Sequence, residues 1–409
     1  MTTKEKEEKL EHELANGGEI SIINLVDFLI EKAHASRVSD IHIEPDSKNI
    51  RIRFRIDGSL QEIYKFDKKI HEEIISRIKV LSRLRTDEHQ ANQDGRFRYP
   101  LGTKDDFIDL RVSIVPTYHG ENIVLRLLTN NQKNLNLETL GFSKNDEKKI
   151  KEALRKTHGM ILATGPTGSG KTTTLYTLIK MLNQPEISIV TIEDPIEYAI
   201  DNVEQIQVNN TKGLTFGSGL RSILRQDPNI IMVGEIRDKE TANIAINTAL
   251  TGHLLLSTLH TNDAATTLPR LLDMGIEEYL VASTISIAIG QRLVRKICVD
   301  CKEKIKLTEE ILLSLKDSPV YPLVSHLKEI YHGKGCQTCH QSGYYGRLCI
   351  NEVLATNDAI RGAILRKASA EEIKQIAKNS GMTTMLEDGI YKVEKGLTTL
   401  EEILRVIHE

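Results

Sequence analysis

No tryptophan occurs in this 409-residue chain, and neither sign of charge prevails: 54 Lys and Arg face 57 Asp and Glu, a net of −3. That balance announces no polyanion as a partner. Long apolar runs are missing too. None approaches the roughly 20 residues that a membrane span needs, so any work at a membrane is expected to be done from outside it, through partners. The opening MTTKEKEEKL has neither an apolar signal core nor a cleavage site, and nothing there points to export. No internal repeat or low-complexity tract stands out. What remains, 40% apolar and 27% charged, is the composition of a soluble globular protein and excludes collagen-like, mucin-like and wholly disordered classes. The length suits two to three domains with a large core.

Residues 1–19 are charged and short of large apolar groups, as in a flexible tail. From Ser21, a plausible cap, Ile22, Ile23, Val26, Leu29, Ile30 and Ala33 recur at helical spacing. Residues 49–56 alternate strictly, with Ile50, Ile52, Phe54 and Ile56 on one strand face and Arg51, Arg53 and Arg55 on the other. Asp57-Gly58 follows, a hairpin signal, and residues 59–64 can return. A helix is predicted over 67–84, and strands over 96–99, 107–115 and 122–128, which together make a mixed α+β domain. Residues 129–138 are polar and rich in Asn, a linker composition. Beyond them, apolar runs at 160–164, 187–192, 230–233 and 254–258 alternate with helical patterns, as in a parallel sheet covered on both faces. The second domain is therefore α/β, and its end is helical. Residues 369–372 and 399–402 match capping boxes, and Gly381 can end the first of these helices.

Residues 165–172 read GPTGSGKT and fit the phosphate-binding loop GxxxxGK[ST]. Gly165, Pro166, Thr167, Gly168, Ser169 and Gly170 would turn backbone amides around phosphate oxygens at a helix N-terminus. Lys171 would reach the β- and γ-phosphates and Thr172 would bind Mg²⁺, with Thr173 completing the loop's edge. Acidic clusters close two later strands, Glu193-Asp194 with Glu197, and Glu235 with Arg237 and Asp238. In an open α/β sheet both clusters can converge on the phosphates. Glu193 would hold Mg²⁺ through water, and Glu235 would orient or deprotonate the attacking water. Alone, such carboxylates are ordinary solvated turn residues. His253 and His260 flank the strand at 254–258; a lone His is more often a core or surface residue, and His253 is taken as the phosphate sensor.

All five cysteines lie late in the chain. Cys298 and Cys301 form one CxxC pair, Cys336 and Cys339 another, with 34 residues between the pairs. Four thiolates suit tetrahedral, structural Zn²⁺, the alternative being reduced cysteines without a metal. Cys349 reads as a small core residue. Arg51, Arg53 and Arg55 read first as the wet face of a half-buried strand and next as a subunit contact. The charge balance leaves little for nucleic acid.

Together these motifs resemble the hexameric ATPases that drive type II secretion and type IV pilus assembly, over nearly the whole chain from about residue 20. SDIHIEP at 39–45, RFRIDG at 53–58 and QDGR at 93–96 are similar to the family's N-terminal signatures. Residues 165–172 resemble its Walker A box, 191–197 its Asp box, 230–238 its Walker B with glutamate, and 251–263 its His box. The paired CxxC is similar to the zinc subdomain of the secretion and assembly branch, which disfavours pilus retraction. The resemblance implies an α+β PAS-like N-terminal domain (20–128), the linker 129–138, and an α/β RecA-like P-loop ATPase domain (139–409) with a small zinc-binding subdomain (298–340). It implies ATP, Mg²⁺ and Zn²⁺ as cofactors. It also implies a homo-hexamer at the cytoplasmic face of the membrane, bound to a platform protein and a cytoplasmic docking protein, with no nucleic acid. Arg96, Arg111 and Arg126 stand on predicted strands, Arg111 and Arg126 between apolar neighbours. A solvated strand face explains them; the resemblance implies that Arg111 and Arg126 reach the γ-phosphate, between domains and between neighbouring chains. Such relatives commonly carry an additional docking domain, whereas only some 20 residues precede the first helix here. A RecA-like nucleic-acid translocase, a DNA-uptake pilus ATPase and a small-molecule kinase are the alternative readings.

Overall fold

The computed structural model describes residues 21–102, 107–128 and 136–408, and the chain divides into two compact units at residue 134. The expected tail, 1–19, and residues 129–135 of the expected linker lie outside the described residues.

In the first unit β1 (Val38–Pro45), β2 (Asn49–Ile56), β3 (Ser59–Asp67), β4 (Gln93–Pro100), β5 (Phe107–Thr117) and β6 (Gly120–Leu128) form one antiparallel sheet, ordered β3-β2-β1-β6-β5-β4. One face buries Ile41, Ile43, Ile50, Ile52, Phe54, Leu110, Val112 and Leu125 against helices Ile22–Ala35 and His71–Leu81. Ser21 caps the first helix by accepting from the Asn24 amide. Ile23, counted in its apolar stripe, sits at the margin of the buried arc and is exposed, while Leu25 and Phe28 are buried in the core. Asp57 and Gly58 take φ of 49° and 91°, the left-handed pair of a two-residue hairpin.

Pattern alone does not predict β1 as a strand, because its apolar alternation breaks between Val38 and Ile41, where the pairing with β2 shifts register. In the β1–β2 register Asp40 faces Arg55, His42 faces Arg53 and Glu44 faces Arg51, so both carboxylates of the polar face lie opposite arginines.

The second unit begins inside the expected linker. Residues 136–138 are not linker: Asn136 and Thr139 form a reciprocal capping box for the helix Leu137–Leu140, and Leu137 is buried. Its main sheet contains β7 (Gly159–Thr164), β8 (Ile189–Glu193), β9 (Glu204–Gln207), β10 (Ile230–Val233), β11 (Leu254–Leu259), β12 (Ile285–Ile297) and β15 (Tyr344–Ala355). The order is β15-β12-β7-β11-β10-β8-β9, parallel throughout except for β15, which runs antiparallel to β12. Strand residues alternate between two cores. Met160, Leu162, Val190, Ile231 and Leu255 pack on one side and Ile161, Ala163, Ile189, Met232 and Leu256 on the other, beneath helices Lys144–Leu154 and Lys171–Leu182. This explains the near-continuous apolar runs. A small hairpin, β13 (Lys302–Lys306) with β14 (Glu329–Gly333), lies in sequence between the two cysteine pairs. Gly381, at φ 86°, follows the helix Ala370–Asn379 as expected.

Candidate functional site

Parallel strands bring their C-terminal ends to one rim of the sheet, and the chemistry gathers there. β7 ends at Thr164 and the chain enters the glycine loop. Gly165 has φ 143°, and a Cβ on it would strike the Gln291 carbonyl oxygen and the Ser169 hydroxyl, so only glycine fits. Gly170 then caps the helix Lys171–Leu182, whose first amides point toward the loop's interior. Lys171 is buried. Its Nζ donates to the carbonyls of Gly165 at 2.7 Å and Pro166 at 3.0 Å. Burial pulls its pKa down, while the charge of Glu235 pushes it back up.

Beyond β10, Glu235 joins Lys171 at this rim. Its carboxylate receives Arg237 Nη2 at 2.5 Å on one oxygen and faces His260 Nε2 at 3.2 Å on the other. Burial raises the carboxyl's pKa, but Arg237 and His260 more than offset it and hold the group below the ordinary glutamate value. Asp194, exposed past the end of β8, adds its field to Arg237. Lysine, carboxylate, guanidinium and imidazole thus meet beside a nest of backbone amides. The loop is a cradle for phosphate oxygens, and Ser169 Oγ, buried there, has no hydrogen-bond partner among the described residues. Thr172 and Thr173 stand half-buried on the first turn of the helix. The residues therefore suit a nucleoside triphosphate and its Mg²⁺.

Two candidate residues lie elsewhere. His253 precedes β11, whereas the phosphate loop follows β7; in the parallel register Leu254 pairs with Gly159 and Leu259 with Thr164. His253 is therefore at the opposite end of the strand, its Nδ1 3.2 Å from the Thr248 carbonyl, and His260 holds the rim position instead. Glu193 does end β8, but alternation turns its side chain under the helix Lys171–Leu182. It is only 2% exposed: Tyr176 donates to one oxygen, and Thr191 (2.6 Å) and Gln205 (3.0 Å) donate to the other. A water bridge from Glu193 to Mg²⁺ does not fit that enclosure. Tyr176, Gln205 and Gln291 carry no motif; a polar residue inside an apolar strand is the one signal that marked Gln291.

Arg111 and Arg126 lie in the first unit. Arg96, Arg111 and Arg126 are consecutive cross-strand partners on β4, β5 and β6, on the face away from the core, and Arg126 Nε donates to Asp40 Oδ1 at 2.8 Å. On the same face Arg53 reaches Glu44 at 2.6 Å and Arg55 lies 3.5 Å from Asp40.

The four cysteines meet as a separate cluster. Their sulfurs lie within 4.8 Å of one another, with Cys298–Cys336 and Cys301–Cys339 at 3.8 Å and Cys336–Cys339 at 3.6 Å. A tetrahedron with metal–sulfur bonds of about 2.3 Å has edges of about 3.8 Å. Amides of Gly335 and Gly343 donate to Cys301 and Cys339 sulfurs at 3.3 Å each, as around thiolates. Cys349 is buried in β15, a core residue whose thiol burial pushes up to about 11.

A doubly covered parallel sheet with a phosphate loop at its rim defines a P-loop nucleotide-binding protein. The chain belongs to the family described as Type II/IV secretion system protein, which it matches over residues 15–405. It is 45% identical to the type II secretion system protein E of Pseudomonas aeruginosa over 388 residues, covering 95% of this chain and 76% of that one. It is 42% identical to the type IV pilus assembly ATPase PilB of Myxococcus xanthus over 402 residues, 98% of this chain and 70% of that one. Among solved structures, the pilus retraction motor PilT with bound ADP aligns at TM-score 0.64 and 26% identity, over 93% of this chain and 96% of that one. The Legionella pneumophila ATPase DotB aligns at TM-score 0.69 and 23% identity over 95% and 96%, a likeness of fold. Among the described residues no helix is long and apolar enough to cross a membrane.

Proposed function

We propose that this chain is a hexameric ATPase motor that powers assembly of a type IV pilus or a type II secretion pseudopilus. The carrying observation is the convergence of the loop at 165–172 with Lys171 and Glu235 at one rim, in a chain of this family. The loop amides and Lys171 bind the β- and γ-phosphates, and the Thr172 hydroxyl holds Mg²⁺, which neutralises phosphate charge when bound. Glu235 orients the attacking water and takes its proton, while Arg237 and His260 fix the carboxylate and keep it ionised. Water adds to the γ-phosphorus as its bond to the β-phosphate oxygen breaks, giving ADP and phosphate. Arg111 and Arg126 serve as arginine fingers toward a neighbouring chain.

The domain reading is a PAS-like unit over 20–128 and a RecA-like ATPase unit over 139–409, with residues 298–340 as the zinc subdomain. The antiparallel sheet with helices on one face supports the first and the phosphate loop supports the second. Zn²⁺ on Cys298, Cys301, Cys336 and Cys339 is supported by the sulfur spacings. The partners are further copies of the chain, a membrane platform protein and a cytoplasmic docking protein, and the site of work is the cytoplasmic face of the membrane. The test is hydrolysis by purified protein. Lys171→Ala should lose nucleotide binding, and Glu235→Gln should bind ATP yet turn over about 10²–10³-fold more slowly, the usual worth of a transition-state contact. A wild-type rate from Glu235→Gln would remove that carboxylate from the mechanism.

A further inference from the structure

Beneath the glycine loop lies a residue with no place in any motif. Gln291 is fully buried in the middle of β12, the strand beside β7, where Gly290 pairs with Thr164 at the point the chain leaves the sheet for the loop. Its Nε2 donates to the Ser169 carbonyl at 2.8 Å. Its backbone carbonyl occupies the space a Cβ on Gly165 would need, and its Nε2 would lie 3.1 Å from a Cβ on Gly170. One residue therefore backs the loop at its first glycine, its serine and its last glycine.

A buried amide is costly on an apolar strand unless its bonds are made, and here only part of it is satisfied. Among the described residues Gln291 Oε1 has no partner, and Asn351, directly opposite on β15 and equally buried, also keeps its amide oxygen unpartnered. Apolar residues of the same size would have filled both positions at lower cost. The side chain that is there gives its short hydrogen bond to the loop, with a longer one from the same Nε2 to Cys349 Sγ at 3.7 Å.

We propose that Gln291 is a positioning residue for nucleotide binding: by holding the Ser169 carbonyl down, it turns the loop amides toward the phosphates. Each peptide unit carries its carbonyl and the next amide in one plane. Fixing the Ser169 carbonyl therefore aims the Gly170 N–H to the opposite side, where the helix begins. Gln291 touches no substrate; it acts through the loop, and it acts before hydrolysis begins. This inference rests on the reading of residues 165–172 as an ATP site.

The experiment measures affinity for a fluorescent ATP analogue and steady-state KM and kcat on the full chain, with Lys171→Ala as the control without binding. Gln291→Met keeps the volume and removes the donor. It should weaken binding about three- to tenfold, the range of one hydrogen bond, with KM raised and kcat nearly unchanged. Gln291→Glu gives a readout that packing alone would not move. Burial raises a carboxyl pKa, so the protonated acid can still donate to Ser169 at low pH and loses that ability as pH rises. Affinity of Gln291→Glu should approach wild type near pH 6 and fall several-fold by pH 8, relative to wild type at each pH. Should Gln291→Met fail to fold, the pH series with Gln291→Glu decides alone. A wild type that binds no nucleotide sinks the ATP reading and this inference with it. A wild type that binds, with Lys171→Ala impaired but Gln291→Met within twofold and Gln291→Glu flat with pH, sinks this inference only.

Discussion

Glu235 is caught between two opposing influences. Burial makes its charged form costly, and Arg237 and His260 repay that cost with a guanidinium at 2.5 Å and an imidazole at 3.2 Å. The net result is a carboxyl whose pKa is held below the ordinary 4.5 of glutamate. If Glu235 must be ionised for turnover, the acid limb of the pH–rate profile reports its pKa in the loaded enzyme. Arg237→Gln removes the larger opposing charge, so burial prevails and the pKa rises. The acid limb should then move to higher pH, because an adjacent cation no longer favours the charged form. Measurement of kcat from pH 4 to 8 on both proteins checks it; coincident acid limbs would show that Arg237 does not govern this carboxylate. At this scale the sequence was legible where geometry demands a residue type. Gly165 and Lys171 follow from what a phosphate loop requires. Glu193 and His253 show the limit: a motif gives a position near a strand end, but not which way the side chain turns or which end of the strand meets the loop. Alternation buries Glu193 against Tyr176, and the parallel register with β7 sets His253 away from the rim.

Elements were legible where their periodicity is clean. The strand β2, the helix after Ser21 and the apolar strands of the parallel sheet form as their patterns predict, to within a few residues at the ends. β1 was missed because its alternation breaks between Val38 and Ile41, at a register shift that only pairing with β2 explains, and partners are not written in a local pattern. The capped turn at 136–140 was missed for a related reason: Asn is common in loops but also caps helices. The β13–β14 hairpin poses a stability question, since two strands alone are marginal in water. It has help from a small core around Leu307, Val320, Val324 and Ile330, and from the cysteine cluster. Metal binding there adds directly to folding free energy. Protein purified without added metal should contain about one Zn²⁺ per chain, and Cys336→Ser should lose most of it and melt at lower temperature. Chelator should lower the wild-type melting temperature in the same direction. Zinc near zero, together with a melting temperature that chelator leaves unchanged, would rule the site out.

At the scale of the whole molecule, the candidate groups fall in both units. The glycine loop, Glu235 and His260 belong to residues 135–409, and the arginine row Arg96, Arg111 and Arg126 belongs to residues 1–134. The loop region has Lys171, the cation proposed for the phosphates, and Arg237 is engaged by Glu235. A developing charge on the γ-phosphate would gain from a further guanidinium. Arg126 is paired with Asp40 yet 58% exposed at its side chain, so a stronger anion can compete for it. Supplying that group from a neighbouring chain would tie hydrolysis to assembly, because no single chain would hold a complete site. An arginine finger is worth about 10³–10⁵ in rate, so Arg111→Ala/Arg126→Ala should be nearly inactive by itself. Lys171→Ala should be equally inactive for a different reason. Mixed in equal amounts and allowed to exchange subunits, the two should regain activity, because some sites then pair an intact loop with intact arginines. The rate of ATP hydrolysis before and after mixing, with oligomer mass followed in parallel, decides the matter. Full activity in the unmixed double arginine mutant would end the assignment. Mixed oligomers that form yet recover nothing would rule out a contribution of these arginines between chains.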